Sequence, residues 1–168
     1  MSKIIHILFI SLALIEITAE ATPWGLAKDA DIATADGIAS ICIPANEQSN
    51  IAIQSVWVTE SNLNNGVRQT MWDIELNPGS PPVTLKPGEC LKYGESPPGY
   101  SINTPKKNLK TGTTYSARLN RFMKDPSRTD VLFYTSVFCP SIHNGKLVYL
   151  QYKNEDGRTI KPRCTSGQ

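Results

Sequence analysis

Cys42, Cys90, Cys139 and Cys164 are the side chains of this sequence best suited to covalent chemistry, and spacings of 48, 49 and 25 residues narrow what that chemistry is. A structural zinc site draws its thiolates from close pairs such as Cys-x-x-Cys, and no such pair exists here. A nucleophilic thiol needs a base or a cation to lower its pKa, and no cysteine has an evident activating base nearby in sequence. In an oxidising compartment an even count of thiols pairs into disulfides, two in this chain. Four cysteines allow three connectivities, and the sequence alone does not choose among them.

Other reactive groups are sparse. Beyond the first 21 residues there is one histidine, His143, beside Asn144-Gly145 at an expected hairpin tip. A serine or cysteine nucleophile would need it as its base, yet no Gly-x-Ser-x-Gly accompanies it. The carboxylate pairs Asp29 and Asp31, Asp73 and Glu75, and Glu155 and Asp156 are what acids scattered over loops would give. No phosphate-cradling glycine loop, His-x-x-x-His pair or calcium loop occurs. The expectation is a protein with no catalytic residue, no metal and no cofactor.

The oxidising compartment is implied by the start of the chain. Lys3 is followed by an apolar run over 4–15, broken only by His6 and Ser11, and then by Ala19-Glu20-Ala21. This is the pattern of a secretory leader cleaved after Ala21. Glu16 ends the run well short of the roughly 20 apolar residues that span a bilayer. No cysteine follows for lipid attachment. These features predict a signal peptide over 1–21 and a mature chain that is exported, soluble and unanchored. The remaining 147 residues suffice for one domain, with a flexible start over 22–36 and the folded part over 37–168. Lys3, Glu16 and Glu20 lie in the leader, so 16 basic and 13 acidic side chains remain, a net charge of +3. That excess is too small for a nucleic-acid binder, and Lys106, Lys107 and Lys110 read as a solvated loop.

No stretch beyond the leader keeps a helical period for three turns. Short β-rich runs occur at 38–43, 51–58, 71–76, 83–85, 89–93, 115–121, 131–139 and 147–152, parted by Gly, Pro and Asn. The second is apolar on both faces toward its end, as a central strand would be. Within 71–76, Trp72, Ile74 and Leu76 face one way and Asp73 and Glu75 the other. Asn65-Gly66, Asn144-Gly145 and Asp156-Gly157 are hairpin signals. About eight short strands so connected predict an all-β fold, a single antiparallel sandwich of immunoglobulin-like type with two disulfides.

Leu109-x-x-Gly112-x-x-Tyr115 resembles the tyrosine corner of immunoglobulin-like and fibronectin-like domains, in which the Tyr hydroxyl returns to backbone a few residues upstream. Trp57 and Trp72 are expected in the core. Trp24, in the flexible start, is open to docking on the domain or to contact with a partner.

Taken in order, Ile41-Cys42-Ile43-Pro44, Leu85-Lys86-Pro87-Gly88-Glu89-Cys90-Leu91-Lys92-Tyr93, Leu109-x-x-Gly112-x-x-Tyr115 and Phe133-Tyr134-x-x-x-Phe138-Cys139 resemble a group of small bacterial exported proteins, the type VI secretion immunity periplasmic proteins. Many members are lipoproteins, and this chain departs from them in lacking the lipid-accepting cysteine. The resemblance implies an antidote that binds a toxin delivered into the periplasm, and it assigns no contact residue. It also suggests the pair Cys42–Cys90, which leaves Cys139–Cys164. In a plain meander that second pair would lie two strand spacings apart, about 9.5 Å, beyond the ~7 Å a disulfide tolerates. The tail after Gly157 should then leave the sheet plane or cross over rather than add a regular strand. The exposed connections at 62–66, 78–82, 96–100 and 141–145 are where such a fold places recognition. Two other classes compete: an envelope assembly or adhesion module, disfavoured as a strand donor by the full strand set, and an exported hydrolase, disfavoured by the single histidine.

Overall fold

A computed structural model describes residues 26–62, 67–155, 158–162 and Cys164. The leader, Trp24, Asn65-Gly66 and Asp156-Gly157 lie outside the described residues. The fold is all-β, with thirteen strands among the described residues: β1 (Leu26–Asp29), β2 (Asp31–Ala35), β3 (Ile38–Cys42), β4 (Ile51–Glu60), β5 (Thr70–Leu76), β6 (Thr84–Leu85), β7 (Cys90–Lys92), β8 (Tyr100–Thr104), β9 (Tyr115–Arg121), β10 (Val131–His143), β11 (Lys146–Gln151), β12 (Lys153–Glu155) and β13 (Arg158–Ile160). No helix among them is long and apolar enough to cross a membrane.

The larger sheet runs β1-β10-β9-β4-β5-β8, with β11 also on β10 and β6 also on β4; the smaller sheet runs β2-β3-β7. Ile41 and Leu91 of the smaller sheet and Val56, Ile74 and Leu119 of the larger belong to one buried cluster. Trp72 of β5 meets Tyr93, just past β7, edge to face at 5.5 Å between centroids. As expected, β4 is central, between β9 and β5. Asn144 and Gly145, both at positive φ, turn β10 into β11, as Asn-Gly does in hairpins.

Two expectations need correction. The sheet is not purely antiparallel, because β1 pairs parallel with β10. The segment 26–35, read as part of a flexible start, is two strands joined through the buried Ala30. It carries Leu26, Ile32 and four alanines but no sustained alternation, so no strand period announces it, and polar contacts add to its ladder pairing. The Gln151 amide donates from Nε2 to the Ala30 carbonyl and accepts the Ile32 N–H at Oε1, each at 2.8 Å. It substitutes for a strand partner where the chain passes from the larger sheet to the smaller. Lys28 Nζ reaches Glu47 Oε1 at 2.8 Å, and the Tyr134 hydroxyl donates to Glu47 Oε2 at 2.6 Å. Those two hydrogen bonds hold the Glu47 carboxyl below its ordinary pKa.

Both disulfides form, as Cys42–Cys90 and Cys139–Cys164. Cys42 and Cys90 are directly opposed on β3 and β7. The tail does leave the sheet: β12 and β13 pair only with each other, which brings Cys164 to a Cα separation of 5.9 Å from Cys139. The Tyr115 hydroxyl accepts the Lys110 N–H at 2.8 Å, across the turn in which Gly112 sits at φ 77°. Replacing Tyr115 by Phe removes that acceptor with little change in packing. A destabilisation of about 0.5–1.5 kcal/mol is expected, read as a lower urea midpoint; an unmoved midpoint would reduce Tyr115 to an ordinary core ring.

Candidate functional face

Strand alternation divides the larger sheet into a core face and an outward face. Val56, Val58, Trp72, Ile74, Ala117, Leu119, Tyr134 and Phe138 are buried. The residues between them form cross-strand rows on the other side. One row runs Thr135, Arg118, Trp57, Asp73, Thr104, and the next runs Phe133, Asn120, Ser55, Glu75, Ser101.

Arg118 organises the first row. Its guanidinium carbon lies 3.5 Å from the centroid of the Phe133 ring and 5.5 Å from that of Trp57, so the cation is held between two aromatic side chains. Its Nε donates to Asn120 Oδ1 at 2.8 Å, and Asn120 Nδ2 donates in turn to Ser55 Oγ at 2.7 Å. Partial burial pulls the guanidinium below its ordinary pKa. Among the described residues no carboxylate forms an ion pair with Arg118. Across Trp57, burial raises the Asp73 carboxyl; the Asn103 hydrogen bond opposes that shift and nearby Glu75 adds to it. Both groups are partly desolvated yet remain at the surface, an arrangement that can contribute charge-assisted contacts to a partner.

Trp57 was expected in the core, and the structure moves it to this face, half-buried. The cause is a bulge. Ile53 pairs with Arg121 and Ser55 with Asn120, so Gln54 is an extra residue in β4. One inserted residue reverses the phase of everything after it. Ile51 and Ile53 point inward before the bulge, and Val56 and Val58 after it, which turns Trp57 outward. The sequence reading therefore missed the stack.

The remaining candidates are scattered. His143 is exposed at the end of β10 and belongs to neither row. Asp73 and Glu75 share the outward face, whereas Asp29 and Asp31 line a hollow beside the Lys28–Glu47 pair. Among the described residues no group of three or more His, Cys, Asp or Glu is placed to hold a metal ion. Of the expected recognition loops, 78–82 borders the outward face through Pro78, Gly79 and Ser80. Tyr100 and Ser141 are instead buried strand residues.

Comparison with protein-family models, curated proteins and solved structures finds no match for this chain. Function is therefore argued from the surface itself.

Proposed function

We propose that this chain is an exported binding protein, cleaved after Ala21, that neutralises a protein toxin in the periplasm by covering it with the outward face of the larger sheet. The observation that carries the reading is the Phe133–Arg118–Trp57 stack in the middle of that face. Trp and Arg are the residues most enriched at binding hot spots, and a guanidinium already fixed between rings loses little freedom when a partner engages it. The toxin as occupant is taken from the family resemblance. Two disulfides support an oxidising compartment.

The two sheets are read as an open immunoglobulin-like sandwich. In support, β9 carries a tyrosine corner at its start and lies between β4 and β10, as strand F lies between C and G, while β2-β3-β7 take the places of A, B and E. One feature departs from that order: β8, beside β5, follows β7 in the chain rather than preceding it.

The test is competition against a sister strain that delivers effectors through a type VI apparatus, using target cells with and without this gene. Protection is expected only with the gene, and equal survival would end the antidote reading. Arg118→Ala should weaken toxin binding by about 2 kcal/mol or more, the hot-spot range, while His143→Ala leaves protection intact. Full protection by a folded Arg118→Ala protein would remove this face as the contact surface.

A further inference from the structure

Beside the stack, at the β5–β8 edge of the same face, lies a groove of about 670 Å³ whose lining includes Gln54, Glu75, Asn77, Ser101, Asn103 and Phe122. From its chemistry we infer that it is a binding site for a neutral saccharide, a reading independent of the antidote proposal. The volume falls within the roughly 300–1,000 Å³ of small-ligand sites, and the lining combines apolar surface from Leu76, Pro78 and Phe122 with a set of polar side chains. Three carboxamides offer both donors and acceptors, and the Ser101 hydroxyl, which donates to Asn77 Oδ1, keeps acceptor capacity. Sugar hydroxyls likewise donate and accept, so a surface of mixed amides suits a polyol better than it suits ligands with one-sided hydrogen-bonding patterns.

Charge narrows the class further. Glu75 is the one ionisable residue in the lining and no Lys or Arg is present, so phosphates, nucleic acids and acidic glycans meet a carboxylate with no cation to offset it. Phe122 adds an apolar element. It is 42% exposed, and a ring standing free at the edge of a polar groove provides a flat surface for the C–H face of a pyranose.

The groove is held in shape before any ligand arrives. The Tyr100 hydroxyl donates to the Ile53 carbonyl at 2.5 Å and accepts the Val83 N–H at 3.1 Å. The Asn77 N–H donates to the Gly99 carbonyl at 2.8 Å. Gly99, at φ 85°, lies so close that an added Cβ would be 2.9 Å from the Ser80 Cβ. The 77–80 wall is thereby fixed against the start of β8, and ordering the site on binding should cost little.

The test is NMR titration of the exported, disulfide-bonded protein, ¹⁵N-labelled, with three neutral oligosaccharides: a β-1,4-glucan, an α-1,4-glucan and a β-1,4-linked N-acetylglucosamine oligomer, each at millimolar concentration. With at least one of them, shifts are expected at the side-chain amides of Gln54, Asn77 and Asn103. Phe122→Ala and, separately, Asn103→Ala should each weaken that binding at least tenfold with an unchanged melting midpoint. Both side chains are exposed, so neither change threatens the fold. Absence of groove shifts with all three sugars, shifts confined to another surface, or wild-type affinity in both variants would overturn the assignment. Groove shifts produced by an uncharged extended peptide but by none of the sugars would also overturn it, in favour of strand addition to β8.

Discussion

The Cys42→Ala/Cys90→Ala protein is expected to unfold with about 4 kcal/mol less stability than the parent, the chain-entropy value for a bond across 48 residues. Against the 5–15 kcal/mol typical of whole domains, that loss leaves little margin. The bond joins β3 and β7 directly, where both strands pack on the core through Ile41 and Leu91. Breaking it removes the covalent cross-link between two adjacent strands of the smaller sheet. The Cys139–Cys164 bond closes a loop of 25, and the same model assigns its removal in Cys139→Ala/Cys164→Ala about 3.5 kcal/mol. A smaller measured effect is expected. Cys164 anchors a tail whose β12–β13 ribbon pairs with neither main sheet, so the tail can detach by local opening while the core persists. Urea denaturation of both variants, with the parent in reductant as a third arm, measures the difference. A Cys42/Cys90 variant with the parental midpoint, or a larger loss at the tail bond, would contradict this account.

Much of the fold was legible in the sequence because burial on one face imposes alternation. The 115–121 run has the same bounds as β9, and Tyr115, Ala117 and Leu119 are all buried. Where alternation is absent or interrupted, the reading failed for physical reasons. β1 and β2 carry only Leu26 and Ile32 as large apolar side chains, among Ala, Thr, Lys and Asp, and part of their anchoring comes from a glutamine and a glutamate more than fifteen residues away in sequence. One local signal did exist: Asp36-Gly37, both at positive φ, makes the β2–β3 turn, and Asp-Gly is as good a hairpin pair as Asn-Gly. β8 escaped notice because Ser101, Ile102 and Asn103 are exposed. The outward face was hidden behind the Gln54 bulge, which composition does not reveal. The groove depends on bringing β5, β8 and the end of β9 together, a property of topology alone.

The two tryptophans on neighbouring strands should respond in opposite ways to the same substitution. Trp72 is 1% exposed and packs edge to face on Tyr93. The Tyr93 hydroxyl lies 2.7 Å from the Lys107 carbonyl and 3.0 Å from that of Met71. Burial pushes its pKa up to about 12, so it stays a neutral donor across the physiological range. Trp72→Ala opens a cavity between the two sheets and should cost about 3–5 kcal/mol, with reduced yield of folded protein. Trp57 is half-buried on the outward face under Arg118. Its loss removes a cation–π contact and part of an indole surface, roughly 1–2 kcal/mol. Trp57→Ala should therefore remain folded yet lose protection in the competition assay, because Arg118 would then be stacked on one ring only. Trp72→Phe, which keeps an aromatic ring in the core, should recover part of the stability and retain protection wherever it folds. If Trp57→Ala proved as destabilising as Trp72→Ala, the outward face would be part of the structural core and the stack would carry no binding role.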